Sequence, residues 1–197
     1  MGDGFIRWYR ELGKDSVFSE QVAAFDRCGV TFAHPETGTA TVINVDGDDV
    51  PVSFEALAWL IGLRISSVTV NWWISPDTNL VGNYSHEPLG CEIQTFWLDG
   101  LNLEEVELVK SAVKSAIDHV STPTRALVCD VQGGTDADDW DSAILYEGAE
   151  LPGAVDSLLL RSEVSDRIVS NSGYLRGEAV GHNLTKIIEA DRRQDGP

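Results

Sequence analysis

The stretch that decides the fold is residues 102–120, "NLEEVELVKSAVKSAIDHV". Its apolar residues recur three and four positions apart, as at Val106, Val109 and Val113, which places them on one face of a helix. Asn102, followed three residues later by a glutamate, has the pattern of a capping box. We therefore expect one long helix, at about residues 102–120.

The segments on either side of this helix have the pattern of strands. Residues 91–100, "CEIQTFWLDG", alternate between the two faces of a strand, as do residues 68–74, and 124–131, "TRALVCDV", is an apolar run of strand length. Shorter helices are expected at 16–28 and 53–62. The sequence thus predicts an α+β fold with a mixed, largely antiparallel sheet, one long helix and two or three short helices.

The C-terminal third is more ambiguous in its pattern. Residues 143–146 and 157–160 are expected to be strands, a short helix is expected around Val164, and the segment 173–190 is expected to return to strand.

No repeat or convincing linker divides the chain, which has 197 residues. We expect residues 1–190 to form a single α+β domain, with a possible N-terminal subdomain at 1–63. The tail, 191–197, is expected to be disordered.

The charge of the chain is strongly negative. It contains 32 acidic residues against 14 lysines and arginines, a formal net charge of -18. Such a field repels nucleic acid and anionic membranes and favours a basic protein partner. The alternative is that the charge serves solubility alone. No secretory signal, membrane span or paired-cysteine motif is recognised, so we expect a cytoplasmic protein, and nothing in the sequence predicts its oligomeric state.

The acidic stretch "CDVQGGTDADDWDSAILYEG", residues 129–148, is the strongest candidate for a metal site. Asp136, Asp138 and Glu147 fall at positions one, three and twelve of a calcium loop. Position five is Trp140, which offers no oxygen, and position six is not the glycine that the sharp turn needs. We therefore predict no metal and no cofactor, and keep these three carboxylates as the alternative.

The same stretch is the first candidate for a partner-binding site. An aromatic side chain surrounded by acids resembles the anchor residues of protein interfaces. The predicted binding residues are Asp136, Asp138, Asp139, Trp140 and Asp141. The alternative is that the tryptophan folds back and covers the sheet.

A second candidate is the adjacent pair Trp72 and Trp73. Neighbouring residues of a strand point to opposite faces, so one indole enters the core and the other lies on the second face of the sheet. That second indole either is covered by another layer or forms an exposed patch for a partner. The pattern does not decide which tryptophan is which.

Two functions remain open on this evidence. The first is a non-enzymatic binding protein, such as a bacterial immunity or antitoxin-type inhibitor of a basic protein, which accounts for the charge and for the absence of nucleotide-binding and hydrolase motifs. The second is a small hydrolase-like enzyme, in which His86 activates Cys91 or in which acids of the 130–147 loop do the chemistry.

Overall fold

The computed structural model describes residues 3–13, 16–64, 67–87, 89–148 and 150–189. In this part of the chain it contains ten strands and five helices. The strands are β1 (Phe5–Glu11), β2 (Ala40–Ile43), β3 (Asp49–Val52), β4 (Val68–Ser75), β5 (Thr78–Glu87), β6 (Cys91–Trp97), β7 (Thr124–Asp130), β8 (Ser157–Arg161), β9 (Leu175–Gly181) and β10 (Leu184–Glu189). The helices are α1 (Phe18–Asp26), α2 (Phe54–Leu63), α3 (Leu103–His119), α4 (Trp140–Leu145) and α5 (Ser162–Asn171).

All ten strands join one sheet, in the order β3-β2-β4-β5-β6-β1-β7-β8-β10-β9, and every pairing is antiparallel. The α+β class is confirmed, and the sheet dominates the architecture. The predicted tail, 191–197, lies outside the described residues.

The helix α3 begins where the sequence places its cap. The side chain of Asn102 accepts hydrogen bonds from the backbone N–H of Glu104 and Glu105, and the carboxylate of Glu105 accepts one from the N–H of Asn102. The first turn therefore satisfies the donors that a helix start leaves unpaired.

The strand β1 lies near the centre of the sheet, between β6 and β7, and was not predicted from the sequence. Its side chains alternate, so that Ile6, Trp8 and Arg10 point to what we call the first face, and Phe5, Arg7 and Tyr9 to the second face. Arg7 and Arg10 are buried in the interior of this strand. These two charged residues interrupt the apolar pattern by which a central strand is recognised in a sequence.

Each face of the sheet has its own apolar cluster. On the first face, residues of α1, α2 and α3 pack with Ile6, Trp8 and the aromatic side chains of β4 to β6. On the second face, residues of α4 and α5 pack with Phe5, Tyr9 and the apolar residues of β7 and β8. Two layers of helices thus stabilise the sheet from opposite sides.

Residues 140–145 form the helix α4, so the predicted strand at 143–146 is wrong. Trp140, Ala143 and Ile144 are buried on one side of this helix, in the second-face cluster. A buried run this short carries too few residues to separate a helical from an extended pattern, which explains the error.

Candidate functional site

The helix α2 presents an apolar surface to solvent. Ser53 caps it by accepting a hydrogen bond from the N–H of Ala56, and Arg64 ends it in a left-handed conformation with φ of 55°. Leu57 and Ile61 are buried and hold the helix on the first-face cluster. A helix of a globular protein normally turns a polar side outward, whereas the outward side of α2 is mostly apolar.

The outward side of α2 is defined here by Ala56, Trp59 and Leu63, which follow one another at three and four residues. We call it the Trp59 face. Trp59 is 63% exposed, and Leu63 is also exposed. Phe54 adds part of its ring at the start of the helix, where it stacks on Phe18 at 5.4 Å between ring centroids. An exposed indole beside aliphatic side chains is typical of a protein-binding surface.

Acidic side chains accompany the Trp59 face. Glu55 is one turn before Trp59 on the same side of α2 and is exposed. The exposed acids Asp46, Asp48 and Asp49 lie in the β2–β3 hairpin, which leads directly into the helix through the four residues of β3, about 13 Å of strand. Glu55 therefore adds a negative charge beside the apolar Trp59 face, and the hairpin acids lie farther off, across the length of β3.

The structure corrects the interpretation of Trp140 as an exposed anchor. Its side chain is 0% exposed, and its indole N–H donates to Thr135 Oγ1 at 3.0 Å. The loop before it is shaped by the buried Asp130, whose carboxylate accepts hydrogen bonds from Gly134 N, Thr135 N and Thr135 Oγ1. Trp140 is thus a core residue at the start of α4.

Two of the acids around Trp140 are partners of Arg7. Asp141 accepts from Arg7 Nη2 at 2.9 Å with each of its two oxygens, and also from the hydroxyl of Tyr9 at 2.7 Å. Asp138 lies 2.9 Å from Arg7 Nη1 and is otherwise exposed to solvent. Burial alone lowers the pKa of Arg7, but Tyr9 and the two carboxylates outweigh it and the pKa is raised. Most of the charge of Arg7 is therefore neutralised inside the protein.

The remaining acids of the loop are exposed. Asp136 accepts a hydrogen bond from the N–H of Asp138, and Asp139 precedes α4 without capping it through its side chain. Among the described residues no three His, Cys, Asp or Glu side chains are grouped so as to hold a metal ion. The alternative metal site at Asp136, Asp138 and Glu147 therefore does not form in this structure.

The pair Trp72 and Trp73 divides between the two faces as strand geometry requires. Trp72 is fully buried on the first face, with its ring centroid 4.6 Å from that of Phe25, so its assignment to a binding surface is wrong. Trp73 is half-buried on the second face, where its ring centroid lies 4.4 Å from that of His34. Trp73 alone of the pair remains available to a partner.

His86 and Cys91 cannot form a catalytic pair in this fold. His86 is opposite Glu92 in the β5–β6 register and Glu87 is opposite Cys91, so the two side chains point to opposite faces. His86 Nε2 lies 3.1 Å from Glu92 Oε2 instead. Burial raises the pKa of the Cys91 thiol to about 12, which suppresses the reactive thiolate.

A buried polar network beneath α1 was missed at the sequence level. Arg10 forms an ion pair with Glu92, and Gln21 of α1 donates to Gln94 Oε1 at 2.6 Å and accepts from the hydroxyl of Tyr84 at 3.1 Å. Burial tends to raise the pKa of Glu92, but Arg10 and His86 together outweigh it and the pKa is lowered. These contacts fix α1 on the sheet, and their partners are too distant in sequence to be recognised by spacing.

Comparison with protein-family models, with curated proteins and with solved structures gives no match for this chain. Among the described helices none is both long and apolar enough to cross a membrane.

Proposed function

We propose that this chain is a non-enzymatic, cytoplasmic binding protein for a basic protein, of the bacterial immunity or antitoxin-inhibitor kind, and that the Trp59 face is its docking surface. The observation that carries the proposal is the exposure of Trp59, which is 63%, on a helix whose outward side is mostly apolar. Burial of such an indole in a partner's pocket removes its surface from water. At an interface hot spot this commonly contributes about 2 kcal/mol or more to the free energy of binding.

The net charge of the chain indicates which kind of partner binds the Trp59 face. A second copy of the chain also carries a formal net charge of -18 and is repelled, and anionic lipids are repelled in the same way. A partner with an apolar pocket inside a basic rim complements both Trp59 and the acids at Glu55, Asp46 and Asp48. Arg64, at the end of α2, donates a hydrogen bond to the carbonyl oxygen of Gly13.

The alternative function, a hydrolase-like enzyme, is less well supported because its candidate catalytic pair does not come together. His86 and Cys91 are on opposite faces, and two acids of the 130–147 loop are engaged by Arg7. No geometry among the described residues favours that reaction class, so the binding function is the better supported of the two.

The test is affinity capture from cells with three immobilised proteins: wild type, Trp59→Ala and Tyr174→Ala. Tyr174 is the matched control, because it is 59% exposed and lies in the turn before β9, outside α2. We expect wild type and Tyr174→Ala to retain the same basic protein and Trp59→Ala to lose it through faster dissociation. Retention that is equal in all three proteins contradicts the proposal.

The purified pair then gives a second measurement, of rates against salt. Association should slow as salt rises and should slow similarly when Asp46, Asp48 and Glu55 are replaced by Asn and Gln, because charge at a rim acts mainly on the encounter rate. If the purified protein alone has twice the mass of one chain, and Trp59→Ala returns it to the mass of one chain, the occupant is a second copy. That result would reject the basic partner.

A further inference from the structure

A groove on the second face of the sheet lies away from the Trp59 face and has chemistry of its own. It has a volume of about 550 Å³ and is bounded by strands β1, β4, β5 and β6 and by the loop that carries Asp138. The side chains that matter are Asn83, Ser85, Glu87, Trp97, Asp138 and Asp141. The helix α2 packs on the first face, so the two surfaces are separated by the sheet.

The charged and amide donors of this groove, on Arg7 and Asn83, are already used. Arg7 donates to Tyr9, Thr95, Asp138 and Asp141. The side-chain amide of Asn83 donates to Ser67 Oγ at 2.7 Å and to Thr69 Oγ1 at 2.9 Å. A ligand in the groove therefore meets no unused donor on Arg7 or Asn83, and the remaining side-chain donors are neutral, such as the hydroxyls of Ser85 and Thr95.

Acceptors remain in excess. Three acceptor atoms receive no hydrogen bond from the described residues: the second oxygen of Asp138, the second oxygen of Glu87 and the amide oxygen of Asn83. The first oxygen of Glu87 accepts a hydrogen bond from the hydroxyl of Tyr146 at 3.1 Å. Three carboxylates, on Glu87, Asp138 and Asp141, line the groove against the single positive charge of Arg7. A matching ligand must donate several hydrogen bonds and carry positive charge.

The aromatic side chain in the wall of the groove restricts further which class of ligand can bind. Trp97 is half-buried in the lining and is supported from behind by Phe5, whose ring meets it edge-on at 6.3 Å between centroids. A planar cation can lie against an indole and still donate in its own plane to carboxylates. A guanidinium group has this geometry and an ammonium group does not.

We propose that this groove binds a guanidinium group, supplied either by a small molecule such as agmatine or by an arginine side chain of a protein segment. The carboxylates of Asp138 and Glu87 and the amide oxygen of Asn83 accept its N–H groups, and Trp97 contacts its plane. This proposal stands on the groove and does not depend on a partner at α2.

The experiment is an NMR titration of the isotope-labelled chain, followed at the indole N–H of Trp97 and the side-chain amide of Asn83. The probes are agmatine and Nα-acetyl-arginine methylamide, with the citrulline and lysine methylamides as the neutral and the non-planar controls. We expect saturable shifts with the guanidinium probes at millimolar concentration and binding about 10-fold weaker, or undetectable, with citrulline. Tighter binding of the arginine amide than of agmatine assigns the site to a protein segment, and the reverse assigns it to a small molecule.

Asp138→Asn and Asp139→Asn are the matched variants, since both acids are exposed and adjacent but only Asp138 lines the groove. The first should weaken guanidinium binding several-fold and the second should not. Equal effects of the two variants, equal binding of citrulline, or the absence of saturable shifts at Trp97 overturns the proposal. Trp59→Ala should bind the probes like wild type, so a failure here is distinct from a failure of the docking proposal at α2.

Discussion

Trp140 and Trp59 show how poorly the polarity of the neighbouring sequence reports the exposure of a side chain. Trp140 is preceded and followed by aspartates and is 0% exposed, whereas Trp59 stands among alanine, leucine and isoleucine and is 63% exposed. Each tryptophan belongs to a short helix that packs on the sheet, one on each face.

The difference arises from the side of the helix on which each residue lies. The acids beside Trp140 point outward or toward Arg7, and so leave the indole free to enter the core. In α2 the positions that face the sheet are filled by Leu57 and Ile61, which leaves Trp59 on the opposite side. The orientation of a helix on its sheet, more than local composition, decides which aromatic residue can meet a partner.

The largest expected effect is a difference in the free energy of unfolding between variants at Trp140 and at Trp59. Trp140→Ala should lower the free energy of unfolding by about 3–5 kcal/mol, because it removes a buried indole and leaves a cavity. Trp59→Ala should change it by no more than about 0.5 kcal/mol, as for an exposed position. Urea denaturation of the two variants makes the measurement, and similar losses in both would contradict the assigned exposures.

A smaller effect is expected from the acids next to Trp140. Asp141→Asn should destabilise the fold by about 1–3 kcal/mol, because the buried guanidinium of Arg7 loses the charge to which it is doubly hydrogen-bonded. Asp139→Asn is the control and should stay within about 0.5 kcal/mol of wild type, since this carboxylate is exposed. Thermal unfolding of both variants at neutral pH checks the difference.

The smallest effect is optical. Acrylamide should quench the fluorescence of Trp59 more readily than that of the buried tryptophans, since quenching requires contact with solvent. Trp59→Phe should therefore reduce the readily quenched fraction, and Trp140→Phe should leave it unchanged. If Trp140→Phe gives the larger reduction, the structural assignment of the two side chains is reversed.

Much of the sheet could be predicted where alternation is clear. The strands at 68–74 and 91–97 alternate between two faces, the strand at 124–130 contains the apolar run 126–129, and the start of α3 is marked by its capping residues Asn102 and Glu105. These signals are local, since each depends on residues within one element.

The rest depends on contacts between residues far apart in sequence. Arg7 and Arg10 interrupt the apolar pattern of β1 and are tolerated because Asp141 and Glu92 neutralise them from other elements. The exposure of Trp59 does have a signal in the sequence: within residues 54–63 the one charged residue is Glu55, which is too few for a helix with a solvated side. Pattern alone could have marked α2 as a helix in need of a partner.

The most direct test of the docking surface is photo-crosslinking in cells. A benzophenone amino acid is placed at position 59 in one protein and at position 174 in another, two sites of similar exposure. The account predicts that position 59 crosslinks to one discrete basic protein, that position 174 does not, and that Leu63→Glu in the same chain abolishes the product. Equal crosslinking from both positions, or a product at 59 that consists of two copies of this chain, would contradict it.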